Sequence, residues 1–118
     1  SLSYSTGPSG VALARLFELW GIAQEIAPRI VQAPPGVPVG TLVARGEVEL
    51  GFQQLSELLH VPGTTVLGTL PPAVAIDTVF SAAVVTGSTT QSAARDFLAF
   101  LASEKATPAK LRQGMQPL

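Results

Sequence analysis

Alternating hydrophobic and polar residues at the start of the chain predict a strand followed by an amphipathic helix. Leu2 and Tyr4 alternate with serines over Ser1–Ser5, as in a strand with two unlike faces. Four large apolar residues then recur at helical spacing within Gly10–Trp20: Leu13, Leu16, Phe17 and Trp20. We expect this helix to end at Gly21, because glycine commonly follows the last residue of a helix.

The same order of elements repeats twice before residue 60. Arg29–Gln32 ("RIVQ") and Glu49–Gln53 ("ELGFQ") are short runs that predict two further strands. A helix from Val39 that ends at Gly46 separates them, and Gln54–Leu59 predicts another short helix. Strands that alternate with helices indicate an α/β fold: a three-layer α-β-α lobe with a mostly parallel sheet and right-handed crossovers.

The pattern changes after residue 62. Thr64–Leu67 predicts a short strand, and the β-prone Val74–Val85 predicts a longer one. Helices are predicted over Thr90–Ala102 and Glu104–Gln113. At the start of the first, Ser88 and Gln91 have the S-x-x-Q spacing of a capping box. This second half therefore carries extended and helical segments without the alternation of the first.

Composition excludes several classes of function. Only 13% of the 118 residues are charged, the net charge is -1, and the seven Lys and Arg residues are scattered, which argues against a nucleic-acid-binding face. The absence of cysteine excludes disulfides and thiolate metal sites. No apolar run is long enough to span a bilayer. The chain begins without Met or a signal peptide, so we expect a processed product or a piece of a longer protein.

Catalytic and metal-binding patterns are weak. The single histidine, His60, gives no metal-ligand spacing and no catalytic triad, and we expect it to be exposed or to cap a helix. Glu57 is the nearest acid to the strand-to-helix turns, which makes it a weak candidate for a general base. We expect no metal or cofactor, and an enzyme is less well supported than a binding protein.

Three strand-to-helix turns carry the candidate site: "STGPSG", "APPGVPVG" and "FQQLS". In a parallel sheet all three meet at the carboxyl edge of the strands, where open α/β sheets bind ligands. Helix N-termini, glycines and neutral hydroxyls at that edge could hold an anion without Lys or Arg. Ordinary turns use the same residue types, and Ser9 could simply cap a helix, so the residues alone leave both interpretations open.

The order of motifs resembles one family. "TLVARGEVELGF", then "TVLGTLPP" and "ARDFLAFLASEKA", are similar to segments of the molybdate-binding-like type 2 periplasmic solute-binding proteins of ABC transporters. The resemblance covers nearly the whole chain and implies two α/β lobes that close on a ligand about a hinge. Residues 1–70 would form the second lobe, and residues 71–118 a hinge strand and C-terminal helices, together one compact fragment domain.

The resemblance also implies ligand-binding positions. The first falls near Ser9 and Gly10 in the turn that also holds Thr6, the second near Gly36 and Val37, and the third on Gln54 beside Gln53.

The family's usual residue at the third position is Tyr-like, and a glutamine suits a carboxylate or polyol as well as an oxyanion. The implied partners are a small anionic solute and an ABC permease, and the implied location is the periplasm. Two alternatives stay open, an aconitate-isomerase-like enzyme and the sensory domain of a regulator. We expect the chain alone to bind ligand poorly, because half of the cleft is absent.

Overall fold

The computed structural model describes residues 1–117, which divide into two compact units. The first unit is Ser1–Thr78 and the second begins at Val79. Assignment of residues 1–70 to a second lobe and 71–118 to a hinge with C-terminal helices stays a prediction.

The first unit is an α/β structure with a small parallel sheet, as predicted. Its strands and helices, in chain order, are β1 (Leu2–Tyr4), α1 (Pro8–Leu19), α2 (Ala23–Ile26), α3 (Val39–Ala44), β2 (Leu50–Phe52) and α4 (Leu55–Leu58). Helix α1 begins two residues earlier than predicted, because a proline is well suited to the first helical position. Gly21 and Gly46 follow α1 and α3 with φ of 71°, the left-handed conformation expected of a glycine after a helix.

The sheet is built around the first strand of the chain. Strand β1 pairs in parallel with β2, with Leu2 opposite Leu50 and Tyr4 opposite Phe52. On its other edge, Leu2 forms an isolated parallel bridge with Ile30. Strand β1 therefore lies in the middle, between neighbours that come later in the sequence.

The predicted strand at Arg29–Gln32 is reduced to that single bridge. Residues 27–29 form a 3₁₀ turn. The N–H groups of Val31 and Ala33 then donate to the carbonyl oxygens of Leu2 and Tyr4 in β1, and the pairing ends there. Pro34 and Pro35 follow directly and have no N–H group to donate. The proline pair therefore ends the strand that the preceding residues begin.

Helices α1 and α3 cover opposite faces of the sheet. The Phe17 ring of α1 packs against the paired Tyr4 and Phe52 rings, with 6.2 Å between centroids in each case. Side chains alternate along a strand, so Gly51 faces the other way, and there Val39 of α3 packs against it. The core on the α3 side consists of four buried residues: Ala33, Val39, Leu42 and Val48.

The predicted strands over Thr64–Leu67 and Val74–Val85 are wrong. These residues form no strand in the structure; only a 3₁₀ turn occurs, at Pro72–Val74. A strand needs a hydrogen-bonded neighbour, and no described residue pairs with them. Several of their apolar side chains face solvent, among them Leu67, which is 84% exposed, and Phe80, which is 65% exposed.

The second unit is helical where it is regular. Helix α5 (Gln91–Ala102) agrees with the prediction, and a 3₁₀ turn at Glu104–Ala106 leads into α6 (Thr107–Arg112). The predicted capping box does not form: the Ser88 hydroxyl accepts the N–H of Thr90 instead, and the helix starts beyond it.

Candidate functional site

A pocket of about 320 Å³ opens at the carboxyl end of the sheet in the first unit. Three chain segments line it, each running from the end of a strand or bridge into a helix. The lining residues are Ser5, Thr6, Gly7, Pro8 and Ser9; Ala33, Pro34, Gly36, Val37 and Pro38; and Gln53, Gln54 and Glu57. This is the edge where the three turns were predicted to meet.

The structure brings together six of the seven predicted site residues: Thr6, Ser9, Gly36, Val37, Gln53 and Gln54. They come from all three turns, as expected for the carboxyl ends of parallel neighbours. Their part in ligand binding stays a prediction, since their placement shows proximity and not affinity.

Gly10 is the seventh predicted residue, and it does not line the pocket. It is buried inside the first turn of α1, where the Ser5 carbonyl lies against its α-carbon. A β-carbon at this position would meet that carbonyl oxygen, so the close approach requires glycine. The placement gives Gly10 a packing role beneath the first turn.

Three helices begin at the pocket. Their N-cap residues are Gly7 for α1, Pro38 for α3 and Gln54 for α4, and all three line it. None of the three caps its own helix through a side-chain hydrogen bond. Backbone N–H groups in a first helical turn lack intrahelical partners and give the turn a partial positive charge. Pro8 of α1 has no N–H group, and the N–H of Val39 in α3 donates to Gln53, so the other first-turn N–H groups are the candidate donors.

Gln53 connects two of the pocket segments. It follows β2, and its Oε1 accepts a hydrogen bond from the Val39 N–H at 2.9 Å. Val39 is the first residue of α3, so a side chain from the end of the strand caps the neighbouring helix. The half-buried Gln53 therefore has a structural contact that its sequence position did not reveal.

Ser5 is a pocket residue that sequence reasoning missed. Its hydroxyl lies 3.4 Å from the hydroxyl of Ser9 across the first turn. The sequence pattern places Ser5 at the end of the predicted strand, directly before the glycine-rich turn, and that neighbouring turn is the signal that identifies it as a pocket residue. The two hydroxyls form a neutral polar pair that can both donate and accept hydrogen bonds.

The pocket contains one charged lining residue, Glu57, on the exposed side of α4. No lysine or arginine lines it. A ligand would therefore meet neutral hydroxyls, amides and backbone N–H groups, with one carboxylate at the rim.

A carboxyl group with a lowered pKa lies away from this pocket. A hydrogen bond from the Ser1 α-ammonium group, helped by charge attraction, lowers the pKa of Glu49. Glu49 precedes β2, whereas Gln53 follows it, so the two lie at opposite ends of the strand. The shift therefore belongs to an exposed ion pair outside the pocket.

Among residues 1–117, no group of three or more His, Asp or Glu side chains is placed to hold a metal ion. None of the helices in this part of the chain has the length and apolar character needed to cross a bilayer.

Two comparisons relate the chain to known proteins. The family model described as bacterial extracellular solute-binding protein matches residues 2–116. An aconitate isomerase from Pseudomonas sp is 41% identical over 119 aligned positions, which cover 100% of this chain and 45% of that relative. The chain thus spans less than half of that relative's length. No solved structure gives a significant match.

Proposed function

Because the chain belongs to the bacterial extracellular solute-binding protein family, we propose that its pocket binds part of a small anionic solute, most suitably a carboxylate. The protein would be exported to the periplasm and would deliver the solute to an ABC permease. In this proposal the first unit is a three-layer lobe of the type 2 fold, and a second lobe closes on the solute about a hinge.

The observation that carries the proposal is the meeting of three helix starts at one pocket lined by neutral donors. Gly7, Pro38 and Gln54 precede the first helical turns there. Serine and threonine hydroxyls from the first turn lie in the same pocket. Fixed N–H and O–H dipoles of this kind replace the water around an anion, so that no cationic side chain is needed.

The relative named aconitate isomerase favours a tricarboxylate over a tetrahedral oxyanion such as molybdate. The glutamine pair at the end of β2 supports this choice, because planar amides suit planar carboxylates. A tricarboxylate has three anionic groups, and this pocket would hold one of them while the second lobe contacts the others.

A second candidate function is isomerisation of such a tricarboxylate. Two observations favour it: the name of the relative and the position of Glu57 at the pocket rim. Proton transfer at carbon needs a general base within reach of the bound substrate, and a carboxylate can serve. Glu57 would hold the proton in that reaction.

The complete protein tests the main proposal through thermal unfolding and calorimetric titration. The probes are trans-aconitate and citrate, with molybdate and a neutral sugar as controls. We expect the tricarboxylates to raise the unfolding midpoint, since a ligand stabilises the state that binds it, and the controls to leave it unchanged. A response confined to molybdate or to the sugar would contradict the proposal.

An assay of cis- and trans-aconitate interconversion separates the two functions. Turnover by the purified protein would establish the isomerase. Tight binding without turnover would support solute transport and exclude isomerisation.

A further inference from the structure

We infer that Gln53 is a specificity-determining residue that presents N–H donors, and not its oxygen, to the bound solute. This inference rests on the proposed function, because it concerns the same pocket. It adds which end of the Gln53 amide contacts the solute. The solute must therefore place a hydrogen-bond acceptor beside Gln53.

The hydrogen bond to Val39 fixes the orientation of the amide. A glutamine side chain has an oxygen that accepts and an NH₂ group that donates. A backbone N–H group can only donate, so the Gln53 atom 2.9 Å from the Val39 nitrogen must be the oxygen. The usual ambiguity between the two ends of an amide is therefore removed by chemistry.

The NH₂ end of this amide is not used by the bond to Val39. Gln53 lines the pocket, and its oxygen is engaged by the first residue of α3. A ligand donor would have to compete with Val39 N–H for that oxygen, whereas a ligand acceptor can use the Nε2 group without disturbing the helix. Gln53 thus favours a carboxylate or carbonyl oxygen and disfavours an ammonium or hydroxyl donor.

The hydrogen bond between Gln53 and Val39 also joins the proposed ligand-binding side chain to the start of α3. Gln53 ends the strand segment, and Val39 begins the helix whose N-cap, Pro38, lines the pocket. Because a single amide joins both, its donors are held in place by the same bond that stabilises the helix start. Such a side chain is already oriented before the ligand arrives.

Two substitutions separate the cap from the donor. In Gln53→Glu, a carboxylate oxygen of equal reach still accepts Val39 N–H, and a negative charge at a helix start is favourable. However, the glutamate side chain has no N–H donors, and a negatively charged oxygen takes the place of the NH₂ group. Gln53→Met removes both functions at similar length. Gln24→Glu adds the same charge on exposed α2, outside the lining residues, and serves as the control.

The experiment is calorimetric titration of the complete protein with the two tricarboxylate probes, together with thermal unfolding and amide hydrogen exchange at Val39. For Gln53→Glu we expect an unfolding midpoint and Val39 protection like those of the unchanged protein. We expect its affinity to fall about 10- to 100-fold, the scale of losing a hydrogen bond to a charged group. Gln53→Met should lose Val39 protection, and Gln24→Glu should bind as the unchanged protein does.

Three results would overturn the inference. If Gln53→Glu binds within about threefold of the unchanged protein, or loses Val39 protection, Gln53 does not act as a capped donor, while the proposed function stands. If the unchanged protein binds neither probe, the proposed function fails and the donor role fails with it. In that case, retained protection of Val39 in Gln53→Glu would show that residue 53 only stabilises the start of α3.

Discussion

The carbonyl oxygen of Ser5 would lie 1.7 Å from a β-carbon built on Gly10. No side chain fits in that space, and the obstacle is backbone, which cannot rotate away. The turn over residues 5–9, one wall of the pocket, therefore folds down onto the first turn of α1 only because Gly10 lacks a side chain.

Gly10→Ala should therefore displace this wall. We expect a loss of at least about 2 to 3 kcal/mol of unfolding free energy, at the upper end of what overpacking costs, because backbone must move. Denaturant unfolding measures it. Gly7→Ala is the matched control: its β-carbon would lie 3.8 Å from the Ser5 hydroxyl, an ordinary contact. Equal stability of the two variants would contradict the close packing.

Gly51→Ala should destabilise the sheet on its α3 face. The added carbon would lie 2.7 Å from Val39 Cγ1 and 2.8 Å from Val43 Cγ2. We expect a loss of about 1 to 3 kcal/mol, typical of a forced side-chain shift.

A double-mutant cycle with Val43→Ala checks the cause of that loss. Truncation of Val43 makes room for the new carbon at Gly51, so the double variant should be more stable than the sum of the single effects, by about 0.5 kcal/mol or more. Strict additivity would show that the two side chains do not compete for space.

Ser3→Ala should leave stability unchanged or raise it. Ser3 is fully buried on β1, opposite Gly51, and its hydroxyl has no hydrogen-bond partner among the residues described. An unsatisfied buried polar group costs free energy, so its removal should gain between 0 and about 2 kcal/mol. Denaturant unfolding of the two proteins measures the difference. A loss greater than about 1 kcal/mol would reveal a bond to the hydroxyl.

Ser9→Ala and Gln54→Ala should each weaken binding of the tricarboxylate probes in the complete protein. Both residues line the pocket, and loss of one hydrogen bond to a charged carboxylate lowers affinity about 10- to 100-fold. Titration calorimetry gives the affinities. Ser56→Ala is the nearby control, since Ser56 lies on α4 but is not a lining residue. Unchanged affinity in both pocket variants would mean that the solute contacts other residues.

Glu57→Gln should separate binding from turnover if the protein is an isomerase. We expect aconitate interconversion to fall by about 10²- to 10⁴-fold, the usual contribution of a general base. Binding of the trianion should be kept or strengthened, because a like charge is removed from the rim. Glu25→Gln, which removes an exposed charge from α2, should change neither. Full activity in Glu57→Gln would exclude Glu57 as the base.

Much of the first unit follows from its sequence. The helical spacing of Leu13 and Phe17 placed the apolar face of α1, and both residues are buried. The alternation of strands and helices also predicted that the three turns would meet, because parallel strands place their carboxyl ends at one edge. Six of the predicted site residues came together for that geometric reason.

The remaining features depend on neighbours that a single sequence does not specify. The cap from Gln53 to Val39 joins residues 14 positions apart and depends on where the strand ends beside the helix. The packing role of Gly10 depends on the path of the Ser5 backbone. The β-prone residues of 74–85 failed to form a strand because propensity supplies no pairing partner.

The central place of β1 has a consequence for the order of folding. Leu2 precedes its partner Leu50 by 48 positions in the sequence. The parallel ladder therefore cannot form until the chain through Phe52 is available for pairing, whereas local helices such as α1 can form beforehand. Sheet closure is then the late, long-range step, and the pocket exists only once it is complete.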